Sequence, residues 1–513
     1  MKNRGSVLND RIVHRGQRKL LSMHIILNRR CITLHIKLND YLKMYKNKRV
    51  AVIGAGISNT PLINILLDAG IETTVCDRRT KEEIGEIAEC FEKAGAVLRL
   101  GEHYLSDLTE DVIFRTPGLM PTTPALVDAV ARGATLTSEM EAFFDICPCK
   151  TIAVTGSDGK TTTTSIIAEL LRNEGKTIHV GGNIGTPLLC RADEIKPDDI
   201  AVIELSSFQL VTMKTSPNIA VVTNLSPNHL DVHNDMEEYI EAKSNIFMHQ
   251  NKSDIAVFNL DNEVTRNYAK SAPADEVLFF SRHDKVTNGV YLKNGIIYES
   301  RNDAREEIMN ADDIVLPGVH NIENYLAAFA AVLGIVSYET MRKTAMSFCG
   351  VKHRLEFVRE FRGVKYFNDS VASSPSRTIA GLKAFTDKKN SLLPENDEKN
   401  LILIAGGKDK GIPFDELGNE VAGRVKKLVL VGATASDICT AVECAMSADA
   451  EPNDSYELEI IKCDSFEDAV DTASKVADVG DVVLLSPACT SFDMFKNFEE
   501  RGDRFKDLVN KLM

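Results

Sequence analysis

The residues best suited to chemistry lie where an apolar run turns at small polar residues. The run spans residues 151–155 and predicts a buried strand. The turn that follows consists of Gly156, Ser157, Asp158, Gly159, Lys160, Thr161 and Thr162. Small residues let backbone N–H groups surround phosphate oxygens, a lysine reaches the β and γ phosphates, and a hydroxyl can hold Mg²⁺. The order of strand, turn and helix start predicts an ATP-binding phosphate loop. Val154 replaces the first glycine of the general pattern, which predicts a shortened loop.

Three further side chains are candidates because each follows or accompanies a predicted element. Glu204 comes directly after the apolar run 200–203, and strand ends in open α/β sheets carry ligand sites, so it is a candidate Mg²⁺ ligand. His229 follows the run 219–222, although a lone loop histidine is more often structural. Lys243 lies on a predicted helix, where a solvated surface charge is the simplest interpretation.

The glycine-rich turn after residues 50–53 is a second candidate binding site. Gly54, Gly56, Ile57 and Ser58 follow this apolar run, and Asp77 comes about twenty residues later, as in dinucleotide-binding domains. Asn59 stands at the position of the third glycine, and NAD chemistry leaves the later phosphate loop unexplained. A nicotinamide-dependent oxidoreductase stays open as an alternative.

Short β-branched runs alternate with longer amphipathic stretches, which predicts an α/β protein with parallel sheets. The length of 513 residues fits about three domains. We predict a Rossmann-like N-terminal domain over 38–137, a central P-loop-type ATPase domain with a parallel sheet over 138–350, and a Rossmann-like C-terminal domain over 351–513.

Composition narrows the class of protein. The formal charge of −14 argues against a general nucleic-acid binder, and no run of eighteen apolar residues predicts a membrane span. Eleven cysteines without a repeated spacing suggest reduced thiols in the cytoplasm.

Residues 1–37 form a basic extension that we expect to be dispensable; an early start codon would explain it, with Met23 or Met44 as internal starts.

Several motifs occur together in a fixed order, and the set resembles the Mur ligase family. In addition to the phosphate loop, the set contains the motifs Glu204-Leu-Ser-Ser-Phe-Gln-Leu210, His229-Leu-Asp231, Gly318-Val-His-Asn321-Ile-Glu-Asn324, His353-Arg354-Leu-Glu356, Asn368-Asp369-Ser370, and Ser486-Pro-Ala-Cys-Thr-Ser491 with the later Phe498 to Gly502. The motif that begins at Glu204 and the final motif, from Ser486 to Gly502, favour the D-glutamate-adding branch of the family. The resemblance covers the chain from about Leu38 onward.

This resemblance implies an ATP-dependent ligase of peptidoglycan precursor synthesis, and hence of cell-wall biogenesis, cell shape and cell division. It would join D-glutamate to UDP-N-acetylmuramoyl-L-alanine through an acyl phosphate, with two Mg²⁺ ions, as a monomer. Another Mur-type amide ligase, a folylpolyglutamate synthetase-like enzyme and an inactive nucleotide-binding regulator are the alternatives, and the last is disfavoured because all proposed metal and phosphate residues are present.

The resemblance also assigns roles residue by residue. Lys160, His229 and Lys243 would be catalytic, with Lys243 carbamylated so that it faces Mg²⁺ as a carboxylate. The metal ligands would be Thr161, Glu204, His229 and Lys243. Asn321, Asn324, Arg354 and Asp369 would join residues 156–162 in holding ATP. The UDP-linked substrate would contact Gly56, Ile57, Ser58, Asp77, Arg78, Arg79, Gly118, Asn183 and Ser206. D-glutamate would contact Lys410, Ser491 and Phe498, with Lys408 as a rival of Lys410.

Two positions depart from the common form of the family. Asn228 precedes His229 where an aspartate is often found, and Val371 follows Ser370 where a lysine is frequent. The second change puts one substrate-closing contact in doubt. Neither removes a predicted metal ligand.

Overall fold

The computed structural model describes residues 37–56, 58–226, 235–302, 304–316, 318–386, 399–409, 411–448 and 458–512. The predicted basic extension therefore lies outside the described residues except for Lys37, as do Ile57, His229 and Lys410. The chain divides into two compact units. The first holds the described residues up to Thr155, then Thr177–Ala220 and 235–254. The second holds Gly156–Lys176, 221–226 and the described residues from Ile255 onward.

The N-terminal part is a five-stranded parallel sheet with strand order β3-β2-β1-β4-β5. Its elements are α1 Leu38–Leu42, β1 Val50–Ile53, α2 Asn59–Asp68, β2 Thr73–Asp77, α3 Lys81–Ile84, α4 Glu86–Lys93, β3 Val97–Leu100, β4 Val112–Phe114, α5 Pro124–Ala131, β5 Thr135–Thr137 and α6 Glu139–Ile146. All four residues of β1 are buried. A central parallel strand is covered on both faces, which is why its sequence is continuously apolar.

The strands of the middle part divide between the two units. Its elements are β6 Lys150–Thr155, α7 Lys160–Asn173, β7 Ile178–Gly182, β8 Ile200–Glu204, α8 Ser207–Leu210, β9 Ile219–Val222, α9 Met236–Ser244, β10 Ile255–Asn259, α10 Glu263–Tyr268, β11 Glu276–Ser281, β12 Gly289–Lys293, β13 Ile296–Arg301, β14 Ala304–Asn310, α11 Val319–Ala331 and α12 Tyr338–Ala345.

Within the first unit, β8 lies between β6 and β7, and both pairs are parallel. The register places Glu204 opposite Val154 on one side and Gly182 on the other. The carboxyl ends of the three strands thus meet at one edge, and this register carries Glu204 to that edge.

Within the second unit, β10, β11 and β12 are parallel, but β12, β13 and β14 are antiparallel. The prediction of a parallel central sheet is therefore wrong for this end. The cause is a two-residue connection, Asn294-Gly295, with φ values of +51° and +77°. Positive φ at both positions is the geometry of a tight β-hairpin, which joins antiparallel strands.

The C-terminal part is a six-stranded sheet with order β15-β16-β20-β17-β18-β19, in which only β15 and β16 are antiparallel. Its elements are β15 Glu356–Phe361, β16 Val364–Asn368, α13 Pro375–Thr386, β17 Leu401–Ala405, α14 Asp415–Arg424, β18 Lys427–Val431, α15 Ala435–Ala448, β19 Glu459–Cys463, α16 Phe466–Lys475, β20 Val482–Leu485 and α17 Phe498–Lys511. Alternate strand residues enter two apolar clusters, one on each face.

The fold class is confirmed: three mainly parallel sheets follow one another, one in each predicted segment. The boundaries at 137 and 350 stay predictions. Among the described helices, none is long and apolar enough to cross a membrane.

Candidate active site

The two glycines of the phosphate loop lie in the second unit, and both have positive φ. The value is +152° at Gly156 and +77° at Gly159, conformations that side chains rarely tolerate. A Cβ at Gly156 would overlap the Thr223 hydroxyl, and one at Gly159 would overlap the Asn324 amide oxygen. Conformation and space therefore both require glycine here, as expected of a loop whose backbone surrounds a phosphate.

The segment after β9 holds the loop in place. The Ser157 hydroxyl donates to the Ser226 carbonyl and accepts from the Ser226 N–H, both at 2.9 Å. The Asp158 N–H donates to the Asn224 amide oxygen at 2.9 Å, and the Thr223 hydroxyl donates to the Asp158 carbonyl at 2.6 Å. These bonds fix the loop backbone before any ligand binds.

Lys160, Thr161 and Thr162 are the first three residues of α7. The Lys160 ammonium donates to the carbonyls of Gly156 and Ser157 at 3.0 and 2.9 Å, so it lies against the loop. The Thr161 hydroxyl accepts from Arg354 Nη1 at 3.2 Å. A helix N-terminus with a lysine and an arginine beside it attracts phosphate groups.

The predicted nucleotide residues Asn321 and Asn324 lie one helical turn apart on α11, and both are buried. Asn324 Nδ2 donates to Asn321 Oδ1 at 3.0 Å, and the Thr163 hydroxyl donates to Asn324 Oδ1 at 3.2 Å. Since Asn324 also faces Gly159, the two asparagines adjoin the phosphate loop.

Asp369 is buried at the end of β16, in the same unit. Its carboxylate accepts from the Ser486 hydroxyl at 2.8 Å and from the Leu355 N–H at 3.3 Å. Burial raises the pKa of Asp369 to about 7, although these hydrogen bonds and the charges of Arg354 and Arg377 act in the opposite direction. A carboxyl of this kind is a candidate contact for a ribose hydroxyl or a phosphate group.

In the first unit, Glu204 is a buried carboxylate with one unsatisfied oxygen. Its exposed fraction is 1%. Asn183 Nδ2 donates to Oε1 at 2.7 Å, while Oε2 has no hydrogen-bond partner among the described residues. A buried oxygen without a donor is costly, and a divalent cation would satisfy it.

Lys243 is also buried in the first unit, with 1% of its surface exposed. The interpretation as a solvated surface charge is therefore wrong. Its Nζ donates to the Thr155 hydroxyl at 3.2 Å and lies 4.9 Å from the centre of the Tyr239 ring. The Thr155 hydroxyl in turn donates to the Leu205 carbonyl at 2.7 Å. The amine therefore lies beside Thr155 and Tyr239, and Thr155 connects it to the backbone next to Glu204.

At the glycine-rich turn of the N-terminal sheet, the protein itself fills the hydrogen-bonding capacity of Asp77. The carboxylate accepts from the Ala55 N–H at 2.8 Å and from Arg79 Nε and Nη2 at 3.0 and 2.9 Å. Burial acts to raise the pKa of Asp77, but the bonds from Arg79 and Ala55 outweigh it and hold this pKa below its usual value. Arg78 is exposed. Gly56 and Gly118 have open space around them.

A cavity of about 230 Å³ lies within the first unit. It is lined by Ser58, Asn59, Arg115, Pro117, Ser138, Glu139, Met140, Gly182, Asn183, Ile184, Gly185, Pro187 and Gln209. The structure therefore brings the predicted substrate residues Ser58 and Asn183 to one cavity. Ser206 caps α8 beside it, because its hydroxyl accepts from the Gln209 N–H at 3.3 Å.

Arg115 and Glu139 are the two charged residues in this lining. Arg115 Nη2 donates to the Phe208 carbonyl at 2.7 Å and to the Thr212 hydroxyl at 2.9 Å, which ties the turn before Gly118 to the segment after Glu204. Glu139 Oε1 accepts from the Leu189 N–H at 2.9 Å, and burial raises the pKa of Glu139 to about 7.

The predicted D-glutamate residues lie in the C-terminal part. Ser491 is buried, and its carbonyl accepts from the Phe495 N–H at 2.7 Å. Phe498 begins α17, and its ring stands edge-on to His353 at 6.0 Å between centres. The rival Lys408 pairs through its backbone with Thr490, while Lys410 lies outside the described residues.

Comparison with known proteins decides the family. Residues 154–332 match the Mur ligase middle domain, and residues 353–489 match the Mur ligase glutamate ligase domain. The chain is 50% identical to the UDP-N-acetylmuramoylalanine--D-glutamate ligase of Ruminiclostridium cellulolyticum, covering 93% of this chain and 99% of that protein. It is also 50% identical to the enzyme of the same name from Acetivibrio thermocellus, covering 93% and 100%.

The chain belongs to the Mur ligase family. The fold agrees: a UDP-N-acetylmuramate-alanine ligase from Thermotoga maritima superposes with a TM-score of 0.50 at 17% identity, covering 90% of this chain and 99% of that chain. The resemblance found in the motifs is thereby confirmed, and the interpretation as a nicotinamide-dependent oxidoreductase is excluded.

Three residues of this Mur ligase were missed by the sequence analysis although they line the cavity. Arg115 directly precedes the Thr116-Pro-Gly118 turn, Glu139 begins the helix after β5, and Gln209 lies inside the motif that starts at Glu204. Their positions beside predicted residues were a usable signal. Nothing in the sequence indicated that Arg115 and Glu139 would be buried.

Asp369 predicts a pH-dependent stability. An acid whose folded pKa is raised binds more protons when folded, so the free energy of unfolding falls as pH rises from the unfolded pKa of about 4 to the folded pKa of about 7. We expect Asp369→Asn to be more stable than wild type at pH 8, by up to about 4 kcal/mol, and to lose this advantage near pH 4. Thermal unfolding across this pH range measures the effect. Asp507→Asn, an exposed position, is the control, and parallel pH profiles for wild type and Asp369→Asn would contradict the assignment.

Proposed function

We propose that this Mur ligase joins D-glutamate to UDP-N-acetylmuramoyl-L-alanine and converts ATP to ADP and phosphate. The observation that carries the proposal is the 50% identity, over 93% of the chain, to enzymes named for that reaction. The phosphate loop at the N-terminus of α7 and the cavity beside Asn183 support it, because the reaction needs both a nucleotide site and an acceptor site. We infer that the enzyme works as a monomer in the cytoplasm, where UDP-linked precursors are made.

The chemistry explains why ATP is needed. A carboxylate resists nucleophilic attack, and its oxygen is a poor leaving group. Transfer of the γ-phosphoryl group to the carboxylate of the alanyl substrate gives an acyl phosphate and ADP. The amine of D-glutamate attacks the acyl carbon, a tetrahedral oxyanion forms, and phosphate leaves as the amide bond is made, with loss of the amine proton. Negative charge is present throughout, so positioned donors and cations supply most of the catalysis.

The phosphate loop would hold the nucleotide. The N-terminus of α7 and the Lys160 ammonium would bind the β and γ phosphates, and Arg354, which already contacts Thr161, would add a second cation. Asn321 and Asn324, beside Gly159, would contact the base and ribose. Asp369 would complete this site from the C-terminal part.

The metal assignment rests on Glu204 and Lys243. The unsatisfied, buried Oε2 of Glu204 fits a divalent cation. Lys243 is a candidate for carbamylation because its amine is buried beside the Thr155 hydroxyl, where a carbamate would place a carboxylate. We assign Thr161 and Glu204 to one Mg²⁺ ion, and His229 with carbamylated Lys243 to a second. Bound Mg²⁺ would neutralise phosphate charge and polarise the acceptor carboxylate.

The substrate assignments divide between the two units. The glycine-rich turn at Gly56 and Ser58, with Gly118, would take the UDP group, and Asn183 and Ser206 would contact the sugar-peptide arm at the cavity. D-glutamate would bind near Ser491 and Phe498, with Lys410 supplying a cation for one carboxylate.

The amino-acid panel is the direct test of this function. We expect phosphate release from ATP with UDP-N-acetylmuramoyl-L-alanine to require D-glutamate, because the activated carboxyl is trapped productively only by the correct amine. Parallel reactions contain L-glutamate, meso-diaminopimelate, L-lysine or L-alanine. Turnover with one of these instead of D-glutamate would replace the proposed function with that of another amide ligase.

Lys160→Ala tests the phosphate loop. We expect the turnover number for phosphate release to fall about 100-fold or more, because a cation is lost where charge develops on the transferred group. Lys176→Ala, an exposed lysine just after α7, is the matched control and should behave as wild type. Near-normal turnover of Lys160→Ala would remove the loop from the mechanism.

Lys243→Ala tests the carbamate. We expect the variant to be inactive and to recover part of its turnover in acetate or formate, since a small carboxylate can replace the missing one. Lys160→Ala in the same acids is the control and should not recover. Wild type equilibrated with ¹³CO₂ should show a carbamate carbon by NMR that Lys243→Ala lacks. An identical spectrum for the two proteins, together with no rescue, would rule the modification out.

A further inference from the structure

Arg501 is a buried cation that the proposed function leaves without a role. It lies in the first turn of α17, and 1% of its surface is exposed. No carboxylate among the described residues lies within 4 Å of its guanidinium, and Asp493 acts on it only at longer range. Burial lowers the pKa of Arg501 to about 10, so the side chain is still charged at neutral pH.

The guanidinium connects two chain segments of the C-terminal part. Nε donates to the Ser370 hydroxyl at 3.0 Å, and Nη2 donates to the Ser370 carbonyl at 2.9 Å. Nη1 and Nη2 both donate to the Cys489 carbonyl at 3.2 Å. One planar group thus joins the end of β16 to the loop after β20.

Both segments carry residues assigned to ligands. Asp369 precedes Ser370, and Ser491 lies two residues after Cys489. The Ser370 hydroxyl that accepts from Arg501 also donates to the Phe498 carbonyl at 2.8 Å. Arg501 is therefore bonded, directly or through one hydroxyl, to the backbone around each described residue predicted to bind D-glutamate.

The backbone of these segments is strained and closely packed. Ala488 has φ +62°, a strained value for a residue with a Cβ, and the next carbonyl is the one that Arg501 binds twice. Gly407 packs against the same place, because a Cβ there would overlap the Thr490 carbonyl and lie 3.3 Å from Arg501 Nη1. The guanidinium thus lies beneath the point where three loops converge.

A buried charge whose hydrogen-bond partners are neutral is expensive, and an apolar side chain could fill the same volume. The need to bind the Ser370 and Cys489 carbonyls explains the hydrogen bonds of Arg501, but a neutral donor could also make such bonds, so it does not require a full positive charge. A ligand with two carboxylates bound above these loops would benefit from that charge, since Coulomb interactions are strong where water is excluded.

We propose that Arg501 is a positioning residue for the acceptor amino acid: it orders the Ser370, Cys489 and Phe498 backbone and supplies the positive field that favours a dicarboxylate. The inference rests on the proposed function. It names the determinant of the acceptor site and leaves the nucleotide and UDP-substrate sites unchanged.

The test separates the Michaelis constants of the three substrates. Arg501→Lys keeps the positive charge but lacks the planar set of N–H donors of a guanidinium, and we expect it to raise KM for D-glutamate about tenfold. We expect Arg501→Met, which loses both, to raise KM for D-glutamate about 100-fold. KM for ATP and for UDP-N-acetylmuramoyl-L-alanine should change by about twofold at most. Millimolar guanidinium should lower the KM of Arg501→Ala for D-glutamate, while equal sodium chloride should not. Arg504→Met, which lies three residues along the same helix and removes an ion pair with Glu467, is the control.

The outcomes are distinguishable. One outcome would overturn the inference and leave Arg501 with a structural role only. In that outcome the variants unfold at a lower temperature, all three KM values and the turnover number change together, and guanidinium does not rescue activity. If Arg501→Met does not fold, Arg501→Lys decides the question by the same comparison: KM for D-glutamate against KM for ATP and for UDP-N-acetylmuramoyl-L-alanine. Wild-type enzyme that releases no phosphate with D-glutamate would overturn the proposed function and the inference together; active wild type with a uniform loss in the variants overturns the inference alone.

Discussion

Each charge that a protein removes from water must be stabilised by the protein or by a ligand, and this constraint organises the present structure. The chain carries a formal charge of −14, yet its proposed substrates are phosphates and carboxylates. General attraction cannot bind them. Under the proposed function, binding would depend on single buried or half-buried groups, namely Lys160 against its loop, Lys243 beside Thr155, Arg115 in the cavity wall and Arg501 against the loops of the C-terminal part.

The same constraint distinguishes buried carboxylates whose oxygens all have hydrogen-bond donors in the protein from those with an oxygen that has none. Asp77 receives hydrogen bonds from Ala55 and Arg79, so its charge is already compensated and it shapes the turn. Glu204 has an oxygen with no donor among the described residues. The contrast supports the proposed assignment of Glu204, rather than Asp77, as a metal ligand, although each carboxylate is the last residue of a buried parallel strand.

Much of this could be predicted from the sequence, because the signals are local. Buried parallel strands are continuously apolar, and the runs at residues 50–53, 219–222 and 482–485 coincide with β1, β9 and β20. The loop glycines were recognisable because residue type and conformation are tightly linked there. The antiparallel end of the middle sheet was missed although the Asn294-Gly295 pair signals a hairpin.

What could not be predicted depends on contacts between distant residues. A lysine on an amphipathic helix has the same sequence pattern whether it faces water or Thr155, so the burial of Lys243 was invisible. Arg501 was noted only as part of a motif, because its partners Ser370 and Cys489 are 131 and 12 residues away. Burial of the cavity residue Glu139 is likewise a tertiary property.

If Asn183 contacts the sugar-peptide arm and Glu204 holds Mg²⁺, as proposed, the hydrogen bond from the Asn183 amide to Glu204 would make these two binding events interdependent. An amide that turns toward a sugar withdraws a donor from the carboxylate, and the carboxylate then carries more unshared negative charge for a cation. By thermodynamic reciprocity, a bound cation must alter sugar affinity by the same factor. Under the proposed function, the sugar site and the cation site would therefore be coupled through this one hydrogen bond.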